Sequence, residues 1–199
     1  MKKLEKILWG IFIIGILFKI MKWPGAGIFT TTSLGVVACF YLYLGIGIFN
    51  NLTVKAMFYK DSYQYENRFN LLFGAIFGIV LAILVIGFLF KFMLWPGANV
   101  LLILGLFSLL FSLLIYGSLH KKKKVSLTKP SFYRIALIGI LSLSLFIIQS
   151  DSIIDFYYPN NPEYAKALKE IIQNPSDIKA QQQFDSIREQ LYSNQLNNE

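Results

Sequence analysis

Between Lys22 and Lys55, between Arg68 and Lys91, and between Lys91 and Lys121, this chain contains no charged side chain. Each interval can hold the roughly 20 apolar residues that a helix needs to cross a hydrocarbon layer about 30 Å thick. Shorter uncharged runs lie between Lys6 and Lys19 and between Arg134 and Asp151. Inside a bilayer every backbone amide must bond within its own segment, so such runs are helical. The expected fold is an all-α polytopic membrane protein with spans at about 7–22, 26–49, 70–93, 98–119 and 134–150. The first span is short and borrows Leu4, with Lys2, Lys3 and Lys6 reaching back to the interface. Arg134, Ser142 and Ser144 dilute the fifth.

Composition excludes most alternatives. With 55% hydrophobic and 15% charged residues, the chain has more apolar surface than a water-soluble core can absorb. Its 18 Phe and 11 Tyr suit lipid-facing helices with aromatic belts. A net charge of +8 would suggest nucleic acid if it covered one soluble face. Most of the Lys and Arg instead sit in short loops between apolar spans, so the partner expected is the lipid bilayer and not nucleic acid. One Cys (Cys39), one His (His120), and no Walker loop, HExxH, GxSxG or CxxC leave no catalytic, cofactor or metal constellation to assemble. The expectation is a protein that is not an enzyme.

Two processing signals compete with this reading. Residues 1–27 have the basic start and apolar stretch of a secretory signal, yet no small-residue cleavage site follows. The run Val36-Val37-Ala38-Cys39 mimics a lipoprotein box, but the span continues from Phe40 to Phe49. Both segments are therefore read as membrane helix.

Gly15 to Gly27 reads GILFKIMKWPGAG and Gly87 to Asn99 reads GFLFKFMLWPGAN, with nine of thirteen positions identical at an offset of 72. Each copy joins one apolar run to the next, so 1–49 and 70–119 read as two copies of one helical hairpin. A unit with an even number of spans enters the membrane the same way each time, making these parallel repeats. A polar loop at 50–69 joins them, a basic loop at 120–133 follows, then the fifth span at 134–150 and a tail at 151–199. Twelve Lys and Arg fall on the side of the N-terminus, the 50–69 loop and the basic loop. The positive-inside rule then places the N-terminus in the cytoplasm of a bacterial inner membrane and the C-terminus in the periplasm.

The tail holds eight acidic residues against four basic ones. Asn161-Pro162 and Asn174-Pro175 read as two helix starts, followed by Tyr164, Leu168, Ile171 and Ile172, then by Phe184, Ile187 and Leu191 at helical spacing. Two short amphipathic helices are expected, packed on each other, on the membrane surface or on a partner.

Several residues are candidates for more than scaffolding. Trp23-Pro24-Gly25 and Trp95-Pro96-Gly97 have the chemistry of a sharp hairpin turn beside an interfacial Trp. Lys19 and Lys91 each stand four residues before that Trp, within an apolar helix. They either snorkel to the outer interface or serve as ion-pairing or proton-linked groups facing a bundle. No acidic residue between Glu5 and Asp61, or between Glu66 and Asp151, offers an obvious intramembrane partner. Gly74 and Gly78 form a GxxxG pattern for close helix approach, between the hairpins or between subunits of a homo-oligomer. Thr30 to Ser33 read as a polar patch or as hydroxyls bonded to helix carbonyls. The tract from His120 to Lys124 either fixes topology or meets anionic headgroups.

The pattern FK-x-M-x-WPGA, at Phe18 to Ala26 and Phe90 to Ala98, resembles the N-terminal membrane hairpin of the GldL-type gliding-motility motor proteins of Bacteroidota. The resemblance implies two helices per unit, a lysine near the end of the first (Lys19 and Lys91), and a link to proton-driven gliding or type 9 secretion. Here the hairpin is duplicated, the second helix of each copy has no carboxylate, and no long cytoplasmic domain follows. The functional expectation is a scaffold or accessory subunit of a membrane complex, whose tail meets a periplasmic partner. The alternative is a proton- or ion-conducting component.

Overall fold

The computed structural model describes residues 2–21, 23, 25–63, 67–122 and 124–196, and among them all regular structure is helical. The elements are α1 (Lys2–Ile20), α2 (Ala26–Phe49), a single turn α3 (Val54–Met57) followed by a 3-10 turn (Lys60–Tyr63), α4 (Arg68–Met93), α5 (Ala98–Lys121), α6 (Lys129–Ile147), α7 (Ser150–Tyr157), α8 (Pro162–Gln173) and α9 (Ile178–Leu196). Four of them, α2, α4, α5 and α6, are long and apolar enough to cross a membrane. α1 is as long as α6, but Lys2, Lys3, Glu5 and Lys6 crowd its first turns.

Helix α4 is the hub, packing against α2, α5 and α6, while α1 lies along α2. The α2–α4 contact is close enough to bring backbones together. A Cβ on Gly45 would lie 2.6 Å from the Gly78 Cα, and one on Gly78 would lie 2.7 Å from the Tyr41 carbonyl oxygen. Gly74 sits one turn away, where a Cβ would meet the Asn50 amide nitrogen and the Ile46 backbone. The GxxxG pattern is thus occupied within the chain. Asn50 Nδ2 closes the end of this seam, donating to the carbonyls of Ile46 at 2.8 Å and Asn70 at 3.2 Å. On the other side of α4, Gly87 receives Leu102 and Gly105 receives Leu84. Phe77, Leu81, Leu84, Val85 and Phe88 of α4 are fully buried by these neighbours.

The outer faces of α5 and α6 are apolar and uncovered: Phe107, Phe111, Leu114, Tyr133 and Leu137 are all more than half exposed. Such faces are stable against lipid and costly against water. Cys39 is also exposed, on the outer side of α2.

The two WPG segments make similar turns. In the first, the Trp23 amide donates to the Phe18 carbonyl at 3.0 Å; in the second, the Trp95 amide donates to the Phe90 carbonyl at 2.9 Å. Gly25 and Gly97 adopt φ of 80° and 86° and open α2 and α5, a left-handed geometry that glycine takes without the Cβ penalty. Pro24 lies outside the described residues.

Several boundaries differ from the sequence reading. The helix at the expected fifth span, α6, covers Lys129–Ile147, not 134–150. Thr128 and Pro130 start it early, because proline at a helix's first turn needs no amide partner. Ile148 turns extended and ends it, and Ser150 opens α7, a helix at the start of the tail that the sequence reading did not assign. Arg134, read above as the first residue of the span, lies instead in the second turn of α6. Asn161 and Pro162 do open α8. α9 begins at Ile178, where Asp177 Oδ1 accepts from the amides of Lys179 at 2.9 Å and Ala180 at 3.3 Å. Asp177 wins over Asn174-Pro175 because its carboxylate caps the free amides. α8 and α9 pack on each other through Tyr164 and Phe184.

Gly78→Leu forces the α2 and α4 backbones apart. It should lower the melting temperature of the detergent-solubilised protein by several degrees, whereas Gly117→Ala, with nothing within 4 Å of the added methyl, should leave it nearly unchanged.

Candidate functional site

In a bundle this apolar, chemistry is confined to the few places where polar side chains meet, and two such clusters lie at opposite ends of the helices. The first is built on α1, α2 and α6. Tyr41 Oη donates to Glu5 Oε1 at 2.7 Å, and Arg134 Nε lies 2.7 Å and 2.8 Å from the two Glu5 oxygens. Trp9 Nε1 donates to Tyr41 Oη at 3.2 Å. Glu5 and Arg134 are each only 11% exposed at the side chain. Tyr41 stands about 12 Å from the α2 end at Phe49, taking 1.5 Å per residue, while Glu5 lies in the first turn of α1, so the ion pair is buried near this end of the bundle. Among the described side chains, Arg134 Nη1 is buried without a hydrogen-bond partner.

The second cluster surrounds Lys19 and Lys91, which the fold treats differently. Lys19 Nζ donates to the Phe92 carbonyl at the end of α4, lies 3.3 Å from Met93 Sδ, and stands 5.4 Å over the Tyr157 ring. It neutralises the carbonyl end of a neighbouring helix, where a cation is favoured. Lys91 is 1% exposed, which is burial and not snorkelling. Its ammonium donates to Asn99 Oδ1 at 2.8 Å and Ser150 Oγ at 3.2 Å. Asn99 stands where the first WPG segment has Gly27, so the second lysine has a local partner and the first crosses to another hairpin. Ser150 opens α7 and Tyr157 ends it, so both lysines contact the start of the tail. Burial pushes the Tyr157 phenol above its ordinary value, with Tyr158 adding to the rise. The ring facing Lys19 is therefore neutral.

The flanking candidates have structural partners. Trp23 and Trp95 are partly exposed and rest on Phe18 and Phe90, with ring centroids 4.7 Å and 5.2 Å apart. Pro96 and Gly97 are exposed in their turn. Thr30 Oγ1 donates to the Gly15 carbonyl across the α1–α2 seam at 3.2 Å, and Ser33 Oγ donates back to the Thr30 carbonyl at 3.0 Å. His120 stacks on Tyr116 with its Nδ1 2.9 Å from the Val125 carbonyl oxygen. Among the described residues, no three His, Cys, Asp or Glu side chains come together as metal ligands would. Between the two clusters Phe12 packs edge-on against Trp9 and Phe92, and the Thr30–Gly15 hydrogen bond crosses the same α1–α2 seam.

Glu5, Tyr41, Trp9 and Arg134 were not singled out from sequence. The available signal was opposite charge: Glu5 is the sole acidic residue before Asp61, and Arg134 interrupts an apolar helix. Two such residues in one bundle are stable only if they meet. Compared with protein-family models, curated proteins and solved structures, the chain matches none.

Removing one partner of a buried ion pair strands the other and costs about 3 kcal/mol. Arg134→Met should therefore destabilise the protein by about that amount in denaturant unfolding from micelles, and adding Glu5→Gln should recover part of it. Strictly additive losses would contradict the pairing.

Proposed function

We propose that this chain is a non-catalytic subunit of a bacterial inner membrane, a scaffold that holds its helical tail at the outer face for a partner. In this reading α1 spans with α2, α4, α5 and α6, the two hairpins are parallel repeats, and the N-terminus is cytoplasmic. The observation that carries it is the attachment of the tail. Lys91 bonds to Ser150 and Lys19 faces Tyr157, so the lysines of both repeats contact α7. α7 in turn packs on α8, with Lys169 paired to Asp155 at 2.7 Å. α8 and α9 leave a largely exposed surface beyond. A tail so fixed to the bundle presents one orientation to its partner, which lowers the ordering cost of binding.

The GldL-type resemblance of the two WPG segments supports membership of a motility or secretion complex in an accessory role. A conducting role is the second reading, favoured by the Glu5–Arg134 pair, since a buried ionisable pair between helices is a frequent element of proton paths. The aromatic contacts of Phe12 with Trp9 and Phe92 stand between that pair and the lysines and favour the scaffold.

Affinity purification of the full chain and of a chain lacking residues 151–199 should recover a partner only with the former; equal recovery would refute the tail's role. In liposomes, proton flux should be no greater with the wild type than with the Lys19→Met/Lys91→Met variant. A flux that the wild type supports and Glu5→Gln abolishes would establish the conducting reading instead.

A further inference from the structure

At the end of the bundle opposite the WPG turns, the segment after α5 folds back on the start of α4. It encloses a groove of about 560 Å³ lined by Asn67, Asn70, His120, Lys121, Lys124 and Ser126. Its walls are pinned at several points. Asn67 Nδ2 donates to the Lys124 carbonyl at 2.7 Å, the Ser126 amide donates to Asn70 Oδ1 at 3.0 Å, and the Leu127 amide donates to Tyr116 Oη at 2.9 Å. Lys124 and Ser126 are thus not part of a free cloud of charge, because their backbone is held beside α4. Lys124 Nζ stands 6.0 Å over the Phe69 ring. Among the described residues, neither Lys121 nor Lys124 is paired with a carboxylate.

We propose that this groove binds the phosphodiester headgroup of an anionic membrane lipid. Two unpaired ammonium groups supply the charge. The groove also meets the amino-terminal end of α4, which Asn67 opens and where an anion is favoured. The level is right as well, since the groove closes the ends of α4 and α5, both long and apolar enough to span. The exposed Phe69 beside Lys124 offers acyl chains an apolar surface immediately below. A lipid fits better than a soluble phosphate, because the groove opens where headgroups are already concentrated by the bilayer.

The test uses the full chain in a neutral detergent, with adducts counted by native mass spectrometry during titration with dioctanoyl phosphatidylglycerol, dioctanoyl phosphatidylcholine or inorganic phosphate. Phosphatidylglycerol should bind at least about tenfold more tightly than phosphatidylcholine. Lys121→Gln/Lys124→Gln should lose about tenfold or more of that affinity, and Lys55→Gln should lose none. Asn70→Ala keeps both lysines but releases Ser126, and should weaken binding several-fold. Equal binding of the two lipids, or an unchanged affinity in the double lysine variant, would overturn the proposal. Wild-type affinity in Asn70→Ala would reduce the site to diffuse charge, and displacement of the lipid by equimolar inorganic phosphate would make free phosphate the ligand.

Discussion

Everything else in the bundle is arranged around the contact between Gly45 and Gly78. In lipid there is no hydrophobic gain from bringing apolar helices together, so close packing and interhelical hydrogen bonds must hold them. With no side chain at either position, the backbones of α2 and α4 touch, and the dispersion contacts of two whole helices follow. That seam fixes α4 at the centre, and α5 and α6 then lie on its remaining faces. α1 is held along α2 by packing, to α6 by the bond between Glu5 and Arg134, and to the end of α4 by Lys19. A charged pair at that point orients α1 about its axis more strictly than packing of Ile and Leu would.

Polar groups in such a protein are costly unless engaged, and here the buried charged ones join elements distant in sequence, while serines such as Ser112 and Ser142 bond back to their own helix. Glu5 ties the first helix to the sixth, Lys19 ties it to the end of the fourth, and Lys91 ties the fourth to the seventh. The WPG turns place the two lysines at one end of the bundle, so that end carries the tail. The opposite end gathers the basic loop. Charge asymmetry along the helix axes and attachment of the tail are thus two results of the same helix order.

Much of the architecture was legible because hydrocarbon leaves the sequence little choice. An uncharged apolar run of sufficient length is a helix, so the ranges of α2, α4 and α5 follow within two residues. The end of α6 and the existence of α7 were not legible, because Ile147, Ile148, Ile153 and Ile154 continue the apolar pattern across a bend that only local backbone geometry creates. The Lys91 partners were equally hidden, since Asn99 and Ser150 are ordinary polar residues until α5 and α7 are placed beside α4. Glu5 was obscured by its neighbours, three lysines that made the first turn read as topology. The similar geometry of the two turns could be anticipated from their shared residues, but the divergent fates of Lys19 and Lys91 depend on Asn99 and Gly27, which lie outside the identical positions.

Cysteine accessibility would test this arrangement at its base, with single cysteines introduced in a Cys39→Ser background at Trp23, Trp95, Lys122 and Ser176. An impermeant maleimide added to intact cells whose outer membrane has been permeabilised should label positions 23, 95 and 176 and leave 122 unlabelled until the inner membrane is opened. Position 176 reacting together with 122, and not with 23 and 95, would put the tail on the side of the basic loop and contradict its attachment through Lys91 and Ser150.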